Sequence, residues 1–284
     1  AIPEGDDWAF EIKWDGYRTV VHLADGRVRL QSTAGHDVTD RWPEFGDLAA
    51  AVNASSAILD AELVVFDDDG RPSFELAQRS GAGSSREAVL QFFDVLQIDG
   101  IDTIDLAYVD RRRLLDGLVE PGENWTVPAS RLGGGAALVA ASAEQGLEGV
   151  IAKRVGSLYR PGTRSKDWHK IKNRTLVELT IGGFSAGAGN RSSTFGALLI
   201  GRRDGERLGF AGGVGTGFDQ PMLRSLSERL RAIAVDECPF DPAPPASVRR
   251  TATWVEPVLR ARVEIAEFTN DGLVRHASFV DLAD

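Results

Sequence analysis

Phe10-Glu11-Ile12-Lys13-Trp14-Asp15-Gly16-Tyr17-Arg18 lies close to the start of a 284-residue chain. Apolar Phe10, Ile12 and Trp14 alternate there with charged Glu11, Lys13 and Asp15. A period of two is the pattern of a strand with one buried face. Lys13 falls on the polar face, and Asp15-Gly16 turns the chain directly after it. An amine is a nucleophile only when neutral, so a reactive lysine at a strand end needs burial or nearby cations. Alone, such a lysine reads as a solvated residue on an edge strand.

The surrounding chain reads as mixed strand and helix. Four further Asp-Gly pairs, at 25–26, 69–70, 204–205 and 271–272, mark tight hairpins. Thr19 to Leu23 and Arg27 to Gln31 flank the first; Ala57 to Phe66 and Ser73 to Phe74 flank the second. Arg41 to Val52 and Tyr108 to Leu118 have helical spacing, with Leu114, Leu115 and Leu118 on one side. Gly134 to Gln145 is an Ala-rich helix stopped by Gly146. Regular strand-helix alternation is missing, so a doubly wound sheet is not expected. Near Asn173 to Leu176 the character changes. Leu176 to Phe184, Phe195 to Arg202, Arg207 to Val214, Val258 to Phe268 and Leu273 to Val280 are strands, joined by one helix, Gln220 to Ala234, and a Pro-rich loop, Pro239 to Pro245. Five strands and a helix in the last part of the chain suggest a small barrel of the OB type.

Composition sets outer bounds. Hydrophobic residues make up 43%, enough for two cores, and no apolar run approaches a membrane span. The single cysteine, Cys238, excludes an internal disulfide, and the four histidines show no zinc-site spacing. The net charge of −10 argues mildly against a nucleic-acid partner, although local charge matters more than the average.

Four later stretches carry chemistry. Leu59-Asp60-Ala61-Glu62-Leu63-Val64 places an acid inside a strand, where it is costly unless paired or bound to metal. Phe92-Phe93 offers adjacent aromatics, of which at least one belongs to a core. Glu148-Gly149-Val150-Ile151-Ala152-Lys153 leads a carboxylate into a strand. In Asp167-Trp168-His169-Lys170-Ile171-Lys172, alternation puts Lys170 and Lys172 on one face, roughly 7 Å apart. Two such cations repel unless an anion, such as a nucleotide phosphate, lies between them. Lys153, Arg154, Arg160, Arg164, Lys166, Lys170, Lys172 and Arg174 face only Asp167, so this run is locally basic and suited to a phosphate backbone.

Lys13, Asp15, Gly16 and Arg18 form Lys-x-Asp-Gly-x-Arg, which resembles the first signature of the covalent nucleotidyltransferases: ATP-dependent DNA ligases, RNA ligases and capping enzymes. The four later stretches follow in that superfamily's order and spacing. Glu148 to Arg154, Tyr159-Arg160-Pro161-Gly162 with Arg164-Ser165, and Trp168-His169-Lys170 are similar to the ligase domain of bacterial multifunctional end-joining DNA ligases, as are Gly182-Gly183-Phe184, Gly189 to Ser193 and Val214 to Gly217. The resemblance implies an α+β fold: an antiparallel-sheet, ATP-grasp-like nucleotidyltransferase domain over 1–175, followed by an OB-fold β-barrel domain over 176–284. It implies that Lys13 attacks ATP and carries covalent AMP. Glu11, Ile12, Arg18, Glu62, Phe93, Lys170 and Lys172 would contact the nucleotide, with Phe93 stacked on the base. Glu62 and Glu148 would hold Mg2+ or Mn2+. The implied substrate is nicked or broken double-stranded DNA. The implied setting is a monomer in the bacterial cytoplasm, near the nucleoid, with Ku and fused polymerase and phosphoesterase domains as partners.

Two positions depart from the pattern. Ser32-Thr33-Ala34-Gly35 has Thr33 where the family places an arginine that grips phosphate at the nick. The last family signature, Arg-x-Asp-Lys, aligns its arginine with Ala283, so that signature is expected to be incomplete. The chain is also expected to lack a lead-in before its first signature. These departures motivate a rival reading, a weakened ligase-like module that binds nicks or partner proteins. An RNA ligase or capping-type enzyme is the other rival.

Overall fold

In the computed structural model of the chain, which describes every residue except Ala1, Ala82, Ser85, Arg164, Asn270 and Asp284, the opening alternation is indeed a strand. The chain divides into two units, Ala1–Asn173 and Arg174–Asp284. The first contains β1 (Trp8–Lys13), β2 (Tyr17–Ala24), β3 (Arg27–Ser32), β4 (Ser56–Val65), β5 (Ala88–Ile98), β6 (Gly149–Arg154) and β7 (Trp168–Lys172). Its helices are α1 (Phe74–Arg79), α2 (Tyr108–Leu118) and α3 (Gly135–Glu144).

One antiparallel sheet has the order β7-β6-β1, with the short strand Arg131–Leu132 on the far edge. Its register sets three rows: Ala9–Lys153–Trp168, Glu11–Ile151–Lys170 and Lys13–Gly149–Lys172. Residues in register share a face, so both terminal lysines of β7 stand on the same side as Lys13 and Glu11. The opposite face carries Trp8, Phe10, Val150 and Ala152, packed against Leu138 and Val139 of α3. Burying that apolar face forces the register, because a one-residue slip would turn every charge into the core.

The second sheet has the order β3-β2-β4-β5 and is antiparallel, apart from a two-residue strand at Trp125–Thr126 that runs parallel to β5. Asp25 and Gly26 both have positive φ, 52° and 71°, which gives the β2–β3 hairpin the turn its twist requires. Leu30, Leu59, Leu63, Leu90 and Phe92 fill one face of this sheet together with Leu115 and Leu118 of α2. The odd-numbered side of β4 enters that core, which leaves Asp60 and Glu62 on the other face. The β4–β5 ladder pairs Asp60 with Asp94 but Ala61 with Phe92. Phe93 is therefore the extra residue of a β-bulge, which turns it out of the core alternation.

The second unit contains β8 (Thr175–Ala186), β9 (Phe195–Asp204), β10 (Arg207–Val214), α4 (Gln220–Ala232), β11 (Ala252–Val255), β12 (Arg260–Ile265) and β13 (Ser278–Ala283). β8 is shared: residues 175–180 pair with β12, residues 183–185 with β11, and its other edge with β9. Bulges at Ile181/Gly183 and Phe184/Ala186 let it bend between those partners. β13 pairs with β12, and the Phe279 N–H donates to the Thr216 carbonyl at 2.9 Å, just past β10. Leu223, Leu226 and Leu230 of α4 enter the core of this antiparallel unit.

Several local expectations change. Residues 39–41 and 43–51 are 3-10 turns rather than one α-helix, the second opening at Pro43. Ser73 and Phe74 do not return as a strand; the Ser73 side chain accepts from the Leu76 N–H and caps α1. Leu114 is 40% exposed, so α2 buries Leu115 and Leu118 without it. β11 and a short strand at Ala234–Val235 are additions: the first lies where no element was expected, and the second begins at the residue read as the end of α4.

Gly149 carries a specific steric demand. Its φ is +147°, and a Cβ there would lie 2.1 Å from the Ile171 carbonyl oxygen and 2.9 Å from the Lys172 Cα. Gly149→Ala is expected to destabilise the protein by about 2–4 kcal/mol, read as a lower urea midpoint at unchanged slope; an unchanged midpoint would show that the β6–β7 spacing relaxes freely.

Candidate functional site

The two sheets of the first unit bring their charged faces together. Lys13, at the end of β1, is mostly buried, and its Nζ donates to Glu148 Oε2. Lys172 Nζ lies 2.8 Å from the other oxygen, Glu148 Oε1. One carboxylate thus bridges two lysines that sit in one row across three strands. Gly149 lies between them in that row and presents no side chain. Burial pushes the Glu148 carboxyl up, but hydrogen bonds and charge from Lys13 and Lys172 outweigh it and hold it below its ordinary value. Lys170, one row away, is held below the usual lysine value by desolvation and then by the Lys13 and Arg18 cations.

Glu62 approaches from β4. Burial raises its carboxyl to about 7; Asp60 and Glu148 add to the rise, while Lys13 and Arg18 oppose it. This is a carboxyl short of positive charge. Glu62 and Glu148 influence one another and Lys13, so both acids belong to one site. Among the described residues no group of three His, Cys, Asp or Glu side chains could enclose a metal. Two carboxylates fit a magnesium-like cation that completes its shell with phosphate oxygens and water, not a protein cage. A cation beside Glu62 would also supply the charge that this carboxyl lacks.

Arg18 occupies the same face as Glu62, its register partner on β4. Its Nε and Nη2 grip Asp60 at 3.0 and 2.6 Å, a bidentate pair that raises the guanidinium above its ordinary value. The guanidinium carbon lies 5.6 Å from the Phe93 ring centroid. Phe93 is half-buried and edge-on to Trp168 at 6.3 Å, whereas its neighbour Phe92 is fully buried in the core. The bulge therefore delivers a flat apolar face to the site, while Phe92 supplies the core aromatic.

Glu11 is buried, and its carboxylate is heavily bonded. Tyr108 Oη donates to Oε1, Arg112 Nη1 lies 3.3 Å from the same oxygen, and Lys153 Nζ lies 2.7 Å from Oε2. Lys153 is fully buried, donates to the Phe93 carbonyl at 3.0 Å, and sits 4.3–4.9 Å from the ring centroids of Trp168, Phe93 and Tyr108. This corrects the reading of the basic run as a surface for phosphate: its first lysine is an internal cation. Alternation identified Lys170 and Lys172 but could not separate them from Lys153, because burial is not visible in charge alone. Arg164 of that run lies outside the described residues.

The structure brings Lys13, Glu11, Arg18, Glu62, Phe93, Glu148, Lys170 and Lys172 to one region. Ile12 is the exception among the singled-out residues: its side chain alternates to the opposite face, opposite Val150, so a nucleotide contact from Ile12 would come from its main chain. Thr33 is exposed in the turn after β3, and Ala283 ends β13 opposite Arg260. Sequence reasoning missed Asp60, Tyr159, Tyr108, Arg112 and Lys153 as parts of the site. Asp60 lies two residues from Glu62, which in a strand means the same face, and that spacing could have found it. The motif glycine also has a role: a Cβ on Gly16 would lie 2.2 Å from the Leu63 carbonyl oxygen, so the turn leading into β2 runs close against β4 there.

Residues 2–172 match the family model of the ATP dependent DNA ligase domain, and residues 191–284 match that of the ATP dependent DNA ligase C terminal region. The multifunctional non-homologous end joining DNA repair protein LigD of Mycobacterium tuberculosis is 42% identical over 278 residues, 97% of this chain and 36% of that protein. LigD of Pseudomonas aeruginosa is 37% identical over 288 residues, covering 99% and 34% of the respective chains. The chain thus spans about a third of the length of these relatives. The crystal structure of the ligase domain from M. tuberculosis LigD aligns over 99% of this chain and 90% of its own, at 40% identity and a TM-score of 0.58. The structure of mycobacterial DNA ligase D complexed with ATP and MES aligns with the same coverage at 38% identity and a TM-score of 0.58.

The Glu62 environment makes stability depend on pH. A carboxyl raised from 4.5 to about 7 in the folded state adds stability below pH 4.5 that is lost as pH rises through 7. Glu62→Gln, which mimics the protonated form at every pH, is expected to melt with the wild type at pH 4 and to gain about 3 kcal/mol over it at pH 8. Thermal melts of both proteins across that range check this; an offset independent of pH would contradict it.

Proposed function

The chain belongs to the ATP-dependent DNA ligase family, and from that premise we propose that it is the adenylating and nick-sealing core of a bacterial end-joining ligase. The first unit is the nucleotidyltransferase part and the second the OB-fold part. The observation that carries the reading is the row Lys13–Gly149–Lys172 with Glu148 bridging its two lysines.

In this reading Lys13 Nζ attacks the α-phosphorus of ATP. An N–P bond forms, the P–O bond to the β-phosphate breaks, pyrophosphate leaves, and the amine releases its protons to solvent. Attack requires that the Lys13 amine leave Glu148, the carboxylate to which it now donates. Glu62 and Glu148 would hold a magnesium or manganese ion, which neutralises phosphate charge when bound. Lys170 and Lys172 then face the α-phosphate from the same side as Lys13 and stabilise its developing charge. Phe93 stacks on adenine, Glu11 accepts from the base amine, and Arg18 meets the ribose. In the second step an oxygen of the DNA 5′-phosphate attacks the same phosphorus, and the N–P bond returns its electrons to Lys13. In the third step the 3′-hydroxyl attacks the 5′-phosphate and AMP departs. Holding these groups in line is most of what the protein must do.

The ligase relatives and both family models favour DNA over RNA as the strand joined. The gathering of Lys13, Glu62, Phe93, Glu148, Lys170 and Lys172 favours an active enzyme over a weakened nick-binding module, notwithstanding Thr33 and Ala283. The names of the multifunctional relatives support a role in non-homologous end joining. In this reading the ligase acts as a monomer in the bacterial cytoplasm, at the nucleoid, with Ku and fused polymerase and phosphoesterase domains as partners. No helix among the described residues is long and apolar enough to cross a membrane.

Incubation with ATP labelled at the α-phosphate, followed by denaturation, is expected to leave label on the wild type and none on Lys13→Ala. The wild type should also join a nicked duplex in a reaction that a chelator stops. Label retained by Lys13→Ala would overturn the assignment.

A further inference from the structure

The sequence places Tyr159 in a stretch similar to the family but gives it no role, yet the residue is 9% exposed and its hydroxyl lies inside the site. The hydroxyl donates to Asp60 Oδ2 at 2.6 Å and accepts from Arg18 Nη2 at 3.0 Å. Arg18 Nη2 in turn lies 2.6 Å from the same Asp60 oxygen. Phenol, carboxylate and guanidinium therefore close a ring of three hydrogen bonds. Asp60 is fully buried; among the described hydrogen bonds its Oδ1 accepts from Arg18 Nε, and its Oδ2 from Arg18 Nη2 and Tyr159 Oη. Burial and the Asp60 charge push the Tyr159 hydroxyl well above its ordinary value, so it stays a donor throughout the working pH range.

The three residues come from separate segments: Arg18 from β2, Asp60 from β4 and Tyr159 from the loop between β6 and β7. The Tyr159 main chain is itself held, with its N–H donating to the Ile104 carbonyl at 3.0 Å. Arg18 is half-exposed and hangs over the edge of the Phe93 ring, so its long side chain would have many rotamers without a fixed anchor. Asp60 fixes the guanidinium along one edge. Tyr159 fixes the plane, because Nη2 must satisfy both oxygens at once.

We propose that Tyr159 is a positioning residue for sugar recognition, acting through Asp60 to hold the Arg18 guanidinium where it meets the ribose hydroxyls of ATP. The proposal rests on the reading of Arg18 at the ribose. A donor held in one place discriminates strongly against a ligand that lacks the matching hydroxyl, whereas a mobile donor discriminates weakly.

The test uses Tyr159→Phe, which removes one oxygen and keeps the ring between Trp168 and Arg111. Initial rates of covalent AMP formation are measured against ATP and against 2′-deoxyATP, for wild type, Tyr159→Phe and Arg18→Lys, beside thermal melts. For Tyr159→Phe the expected result is a KM for ATP about tenfold higher, a KM for 2′-deoxyATP changed less than about twofold, and a saturating rate within about twofold. Equal losses on both nucleotides, or no change on either, would overturn the proposal. Wild type and Arg18→Lys that fail alike to distinguish the two nucleotides would instead overturn the reading of Arg18, and the proposal with it. A lowered saturating rate with a lowered melting temperature would assign Tyr159 a packing role and contradict the inference.

Discussion

One carboxylate with a lysine on each oxygen organises the first unit. Glu148 reaches Lys13 and Lys172 together because β1, β6 and β7 hold one register, and Gly149 in that row lets β6 and β7 approach too closely for a Cβ. That register is enforced from behind, where Trp8, Phe10, Val150 and Ala152 bury their side chains against α3. The chemistry on one face is thus positioned by hydrophobic packing on the other. A slip of one residue would exchange the two faces, which links the fold to the site more tightly than any single bond in it.

The second sheet adds groups that would be unfavourable in isolation. Asp60 is fully buried, and Glu62 is pushed toward neutrality by burial. Buried charge persists in a fold when it is matched. Asp60 is matched within the protein, by Arg18 and Tyr159. Glu62 is matched incompletely, which is consistent with a cationic ligand completing the pairing. Glu11 and Lys153 form an internal pair beside three aromatic rings, so this wall of the site is polar yet buried. A net charge of −10 conceals all of this, since the cations that matter are concentrated in a few strands.

Much of the site was legible because its spacing is strand spacing. Lys170 and Lys172 share a face by alternation alone, and Glu11 and Lys13 do so for the same reason. The resemblance then joined stretches that lie far apart in the chain. What stayed hidden depended on tertiary contacts. Residue type alone could not separate Phe93 from Phe92; the resemblance singled out Phe93, and the bulge supplies the physical reason. Lys153 looked like its basic neighbours until its burial was seen. Tyr159 stood in a resembling stretch with no role of its own, because a phenol oxygen pairing with an aspartate 99 positions away leaves no local signal. The 3-10 turns at residues 39–51 and the added strand β11 were lost for a different reason: Pro43 and the packing of short segments outweighed periodic signals too weak to decide.

The central claim is that the amine bridged to Glu148, and no other lysine in the cluster, becomes covalently bonded to the nucleotide. Peptide mapping by tandem mass spectrometry of the ATP-treated wild-type protein reads this directly. The account predicts an AMP adduct confined to the peptide bearing Lys13, with Lys153, Lys170 and Lys172 unmodified. An adduct on any of those three, or none on Lys13 under conditions in which nicked DNA is joined, would contradict it.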